Sequence, residues 1–241
     1  MDLGIAGRVA LVTAASKGLG RGSALALAAE GCKVAVCARG EDGVRAVEKE
    51  LAERTEVLAM VEDVTEPDAP RRLVEATVAR FGALDILVPN SGGPPQGRAL
   101  EIDDEQLGAA LNANLLTSVR LVREAVPHMR ARRWGRICCI ASQSVKQPIP
   151  TLALSNTART ALWAWSKTAA QDLIADGITL NLACPGFHAT DRMKQLGGGS
   201  GEGMGDPADF GRVVAFLCSE PANYLTGVAL QVDGGATLGL L

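Results

Sequence analysis

Seven short apolar runs punctuate the chain: VALV (9–12), VAVCA (34–38), VLAMV (57–61), LDILV (84–88), ICCIA (137–141), ITLNLAC (178–184) and VALQV (228–232). Each has the length of a strand and hardly alternates, the pattern of strands covered on both faces. Between most of them apolar residues recur at helical spacing, as at Leu25, Ala28 and Ala29 and again at Leu115, Val119, Val122 and Val126. Strand alternating with helix predicts a parallel sheet with right-handed crossovers. The expected fold class is α/β: a doubly wound, seven-stranded parallel sheet with helices on both faces. Helix punctuation agrees, with Gly31 closing the first helix, Glu66-Pro67 opening the third and Asp206-Pro207 opening the last.

The 241 residues suit one such domain, spanning 1–241, and no stretch reads as a linker. GGGSGEGMG (197–205) has six glycines in nine residues and no packing pattern, so a mobile loop is expected over about 187–206. It follows the C-terminal end of a strand, where open α/β sheets bind ligands, which gives it the position of a lid. No apolar run reaches the roughly 18–20 residues that cross a bilayer. The N-terminus also lacks the basic start and cleavage site of a secretory signal, so a cytoplasmic protein without membrane contact is expected. A net charge of −3 and 3% aromatic residues argue against a nucleic-acid surface. The six cysteines show no metal-ligand spacing and most lie within apolar runs; all read as reduced, and no metal is expected.

Candidate chemistry begins at TAASKGLG (13–20), which follows the first strand and opens the first helix. A turn there aims backbone N–H groups and a helix N-terminus at a pyrophosphate, while Gly18 and Gly20 leave room for close approach. This segment resembles the TGxxxGxG fingerprint of the short-chain dehydrogenase/reductase family, with Ala14 at the first glycine, and implies a Rossmann-type domain. The resemblance runs along nearly the whole chain. Glu62-Asp63-Val64 resembles the family's adenine contact, Pro89-Asn90-Ser91-Gly92 its NNAG, Pro185-Gly186 with Thr190 its PGxxxT, and Val232-Asp233-Gly234-Gly235 its closing VDGG. It implies cofactor contacts from Thr13, Ser16, Lys17, Gly18, Leu19, Gly20, Arg39, Asp63, Val64, Asn90, Pro185, Gly186 and Thr190. Alanine at position 14 is excluded only if φ must be positive, so weakened rather than abolished binding is expected. NAD is usually met by an acid at the end of strand two, whereas a 2′-phosphate needs cations. Here that end reads Cys37-Ala38-Arg39, with Lys17 beside Gly18, which favours NADP (NADPH) over NAD.

The proton-handling set is altered. In the family a serine is followed thirteen residues later by tyrosine and four after that by lysine, with an asparagine from the preceding helix. Here Ser142 is followed at those spacings by Ser155 and Arg159, and Asn114 resembles the asparagine. The only tyrosine is Tyr224, far downstream, so no shifted register restores the phenol. Serine cannot match a phenol's acidity, and an arginine keeps the positive charge but cannot relay a proton by losing it. His188, next to the nicotinamide-end segment, is a candidate substitute acid against a merely solvated histidine; Lys146 is a weaker one. His128 reads as a favourable charge at a helix end.

Two functions follow. One is an NADP(H)-dependent oxidoreductase similar to 3-oxoacyl-acyl-carrier-protein reductases, acting on a small or carrier-presented carbonyl with an altered proton donor. The other is a catalytically impaired nucleotide-binding protein, a redox sensor or partner subunit. The resemblance also implies a homo-oligomer, tetramer or dimer, through the apolar helices at 115–126 and 158–173.

Overall fold

The computed structural model describes residues 1–197 and 203–240. Strands β1 (Val9–Val12), β2 (Lys33–Ala38), β3 (Val57–Val61), β4 (Ile86–Val88), β5 (Gly135–Ile140), β6 (Ile178–Pro185) and β7 (Ala229–Val232) form one parallel sheet in the order β3-β2-β1-β4-β5-β6-β7. The winding reverses between β1 and β4. Loops leaving those strands therefore part and open a crevice at the sheet's C-terminal edge.

Residues along a strand alternate between faces, and each face has its own core. Leu11 joins Leu87 and Ile137 on one side, while Ala10 and Val12 join Val34, Val36 and Ile86 on the other. Helices α1 (Gly18–Ala29), α2 (Glu41–Ala52) and, late in the chain, α8 (Pro207–Leu217) cover the second face; α3 (Ala69–Phe81), α5 (Thr117–Arg132) and α6 (Ala153–Leu173) cover the first. The short helices α4 (Asp104–Leu111) and α7 (Asp191–Gln195) border the crevice. Helices α1 and α8 meet backbone to backbone: a Cβ on Gly22 would lie 2.2 Å from the Pro207 carbonyl oxygen, and one on Gly211 2.2 Å from that of Gly22. This contact ties the last helix to the one that opens the nucleotide loop.

The expected α/β architecture forms, with corrections at its margins. Burial on both faces holds for β1, β2, β5 and β6, but the edge strands β3 and β7 are only partly covered, and Val61 is exposed. The run LDILV becomes a strand only from Ile86, because Asp85 is an anchor: its carboxylate accepts from Val9 N–H and Arg132 Nε, both at 2.9 Å. The third helix starts at Ala69 rather than at Glu66-Pro67, since a turn from Asp63 carries the chain through Glu66 first. The expected mobile loop lies partly outside the described residues, at 198–202; its described flanks hold α7 and a backbone bridge between His188 and Gly205. Among the described residues no helix is long and apolar enough to cross a membrane, and no acid, histidine or cysteine cluster is placed to hold a metal. All six cysteines are free and buried.

Candidate active site

A cleft of about 990 Å³ opens at the C-terminal edge of the sheet, at the upper end of the usual range for ligand sites. Its floor is set by a tie between the two diverging loops. Thr13 Oγ1 donates to the Asn90 carbonyl at 2.7 Å and accepts from Asn90 N–H at 2.8 Å, and Asn90 Nδ2 donates to the Ala14 carbonyl at 3.3 Å. Gly20 packs beneath this turn, where a Cβ would fall 2.5 Å from the Ala14 carbonyl oxygen. Thr13 and Gly20 thus shape the cleft from behind without lining it. Ser16, Lys17, Gly18, Leu19, Arg39, Asp63, Val64, Asn90, Pro185, Gly186 and Thr190 do line it.

Ala14 answers the question of the missing glycine. Its φ is +47°, so the position does require the left-handed conformation, and alanine adopts it at a cost of about 1–2 kcal/mol. Lys17 lies 3.4 Å from Asp191 and Arg39 lies 3.8 Å from Asp63, both pairs at the solvent edge. Burial raises the Asp63 carboxyl, but the Thr65 N–H and hydroxyl, with Arg39, outweigh it and hold the group below its ordinary value.

At the other end of the cleft the expected residues come together. Asn114 sits in a π-helical stretch, Asn112–Leu116, between α4 and α5; such bulges re-aim side chains at functional sites. It accepts from Ser91 Oγ at 3.4 Å and lines the cleft beside Ser142, Ser155 and Arg159. Ser142, two residues past the end of β5, accepts from Ser144 N–H at 3.1 Å and keeps its own hydroxyl proton available. Ser155 and Arg159 project from the first turns of α6, one turn apart, so both reach the same wall. Arg159 donates from Nη1 to the Ile140 carbonyl at 2.8 Å and has no acidic partner among the described residues. Burial pushes its pKa down to about 10, and the neighbouring positive charge of Arg192 pushes the same way.

Two further candidates and one loop take their places around this constellation. His188 lines the cleft, as a candidate acid must, and is not solvated: it is 5% exposed, lies edge-on to Phe210 with ring centroids 5.2 Å apart, and faces Gly205. Lys146 does not reach the cleft; its ammonium sits over the Trp163 ring, 5.8 Å from the centroid. The glycine-rich loop also sends Arg192, Met193 and Leu196 into the cleft, because α7 and the residue that caps it turn them to one side. Sequence reasoning missed these and Gln143, whose buried Oε1 has no partner in the protein. Only its place next to Ser142 signalled it. Tyr224 is fully exposed, away from the cleft.

A Rossmann-type sheet whose switch-point crevice joins a glycine-turn loop to a Ser–Asn constellation defines a class of nucleotide-dependent oxidoreductases. The chain belongs to the short-chain dehydrogenase/reductase family: the family model for enoyl-(acyl carrier protein) reductase matches residues 13–237. It is 34% identical over 238 residues to the 3-oxoacyl-[acyl-carrier-protein] reductase of Escherichia coli (strain K12), covering 95% of this chain and 97% of that protein. Its fold matches an L-sorbose reductase from Gluconobacter frateurii complexed with NADPH and L-sorbose, with a TM-score of 0.92, 33% identity and both chains fully covered. An actinorhodin polyketide ketoreductase with NADPH aligns with a TM-score of 0.87 at 32% identity, covering 95% of this chain and 97% of that one.

Proposed function

We propose that this protein is an NADP(H)-dependent oxidoreductase that reduces a ketone, or oxidises a secondary alcohol, without a phenolic proton donor. One observation carries the reading: Asn114, Ser142, Ser155 and Arg159 share a cleft with the 13–20 loop and two cations. The cleft suits a phosphorylated dinucleotide. A Cβ at Gly20 would collide with the turn, Lys17 and Arg39 are held only by surface ion pairs that a phosphate can replace, and Gln143 Oε1 is an acceptor awaiting a donor. The two NADPH-bound relatives support the same cofactor.

When bound, the dinucleotide supplies the hydride. The residues of the chain do the rest. The 13–20 loop and the N-terminus of α1 face phosphate, and Arg159 offers ribose hydroxyls its fork of donors. Ser142 and Ser155 hydroxyls donate to the carbonyl oxygen as negative charge develops there. The final proton comes from water, because no phenol lines the cleft, the arginine keeps its own, and His188, though it lines the cleft, is buried against Phe210. Loss of a general acid costs about 10² to 10⁴ in rate, so turnover is slowed and not abolished. His188 takes the part of an anchor for the 187–206 loop in this reading.

The Ser155/Arg159 pair also favours a second function, a nucleotide-binding protein without turnover. Calorimetric titration with NADPH followed by NADPH oxidation across a ketone panel separates the two: binding with turnover supports the reductase, binding alone the sensor. Under the first reading, Ser155→Tyr with Arg159→Lys raises turnover about tenfold or more; no gain means that the cleft does not use the family's proton path. Assembly as a homo-oligomer through α5 and α6 and a cytoplasmic location belong to the same proposal, checked by light scattering and fractionation.

A further inference from the structure

The cleft holds two guanidiniums without counter-ions among the described residues. Arg159 is one; the other is Arg192 on α7, half-buried. It lies against Gly93, where a Cβ would come 2.8 Å from Nε and 3.0 Å from Cζ, and its Nη2 donates to the Pro94 carbonyl. The acids that line the cleft are engaged elsewhere or stand off: Asp191 with Lys17 and Lys194, Asp63 with Arg39 and Thr65, Glu62 with Arg72, and Glu105 on the exposed rim in α4. Burial lowers the pKa of both arginines and the charge of Arg192 also disfavours that of Arg159, so among the described residues this region lacks an anion. Met193 and Leu196 beside Arg192, and Ile149 and Leu152, add an apolar wall.

We propose that the substrate end of this cleft is a carboxylate site, in which Arg192 exchanges the Pro94 carbonyl for the acid group of an oxo acid whose ketone faces Ser142 and Ser155. The inference rests on the reductase reading above. A planar guanidinium fork matches a carboxylate with two parallel hydrogen bonds, and a charged acceptor binds it about twice as strongly as a neutral carbonyl. An anionic substrate supplies the counter-ion that Arg159 and Arg192 lack among the described residues. The pyrophosphate of the dinucleotide is already provided for by the 13–20 loop and the N-terminus of α1, which leaves Arg192 to the substrate. The reaction balances as oxo acid + NADPH + H⁺ → hydroxy acid + NADP⁺. The carbonyl carbon gains a C–H bond, the π pair moves to oxygen, and that oxygen takes a proton from water.

The test is calorimetric and needs no turnover. The protein saturated with NADP⁺ is titrated with 2-oxobutanoate, 3-oxobutanoate and 4-oxopentanoate and with the methyl ester of each, in wild type, Arg192→Met and Arg192→Lys, with thermal melting to verify folding. At least one acid binds about tenfold or more tighter than its ester. Arg192→Met removes that difference, Arg192→Lys restores only part of it, and NADP⁺ affinity changes far less than acid affinity. The inference is overturned if no acid outbinds its ester, or if Arg192→Met weakens NADP⁺ as much as the acid, which would make the cofactor's own phosphates the partner. Failure of wild type to bind NADP⁺ or NADPH overturns the reductase reading itself; NADP⁺ binding without acid preference overturns the carboxylate site alone.

Discussion

At the start of β5, Arg136 is 2% exposed; at the opposite edge of the same sheet, Arg159 is 8% exposed, yet the two buried charges are treated in opposite ways. Arg136 donates to the carbonyls of Ser219, Gly135 and Gly177 at 2.9–3.2 Å, reaches Glu220 at 3.4 Å and stacks 4.4 Å from the Trp134 centroid. Arg159 has one carbonyl, and the thiol beside it, Cys184, is pushed up to about 12 by burial and so stays neutral at pH 7. Burial lowers both guanidinium pKa values, but only at Arg136 does a carboxylate pull back. A closed network of this kind maintains the fold; an open one stores unmet demand for an anion, and it lies where a doubly wound sheet binds ligands.

Breaking the closed network has the largest effect. Arg136→Met strips three carbonyls and Glu220 of a donor and lowers stability by about 3–5 kcal/mol in urea unfolding. The mirror change at the open end, Arg159→Met, leaves stability unchanged or raises it by up to about 3 kcal/mol, while NADPH binding measured by fluorescence weakens. The pH dependence sharpens this contrast. Below about pH 10 the wild-type guanidinium is charged in both folded and unfolded chains and its burial cost is present in full; above that the folded chain sheds the proton first. Wild-type stability therefore gains from rising pH, and the variant's advantage shrinks in melts between pH 9 and roughly 11. A smaller effect comes from the outer cations: Lys17→Ala with Arg39→Ala barely moves the melting temperature, because both ion pairs are solvent-exposed, but lowers the NADPH-over-NADH affinity ratio several-fold. Smallest is Ala14→Gly. Relief of the positive φ competes with added freedom of the unfolded chain, and the net gain stays within about 1 kcal/mol.

Much of the fold was legible because burial on two faces leaves an unbroken apolar signature; it blurred only at β3 and β7, the edge strands, where one side of the ladder meets solvent. The residues set out in order, Ser142, Ser155 and Arg159, were found by their match to the spacing of the family they resemble, which is countable because a serine past a strand end and one turn of helix are local distances. Arg192 and Gln143 were invisible to such counting. Nothing local distinguishes Arg192 from the other charges in DRMKQ, and a glutamine without a partner is recognised only when its neighbours are known.

The order of apolar runs and turns was enough to determine a parallel, doubly wound sheet, because backbone sterics and solvent exclusion act within a few residues, and the resemblance to a family pattern was enough to single out Asn114, Ser142 and Arg159. Tertiary structure alone decided which charges are answered. Whether Arg136 meets Glu220, whether His188 packs on Phe210, and whether Arg159 and Arg192 face the cleft with no acidic partner among the described residues depend on segments tens of residues apart in the chain, and electrostatic demand is set by what lies near in space.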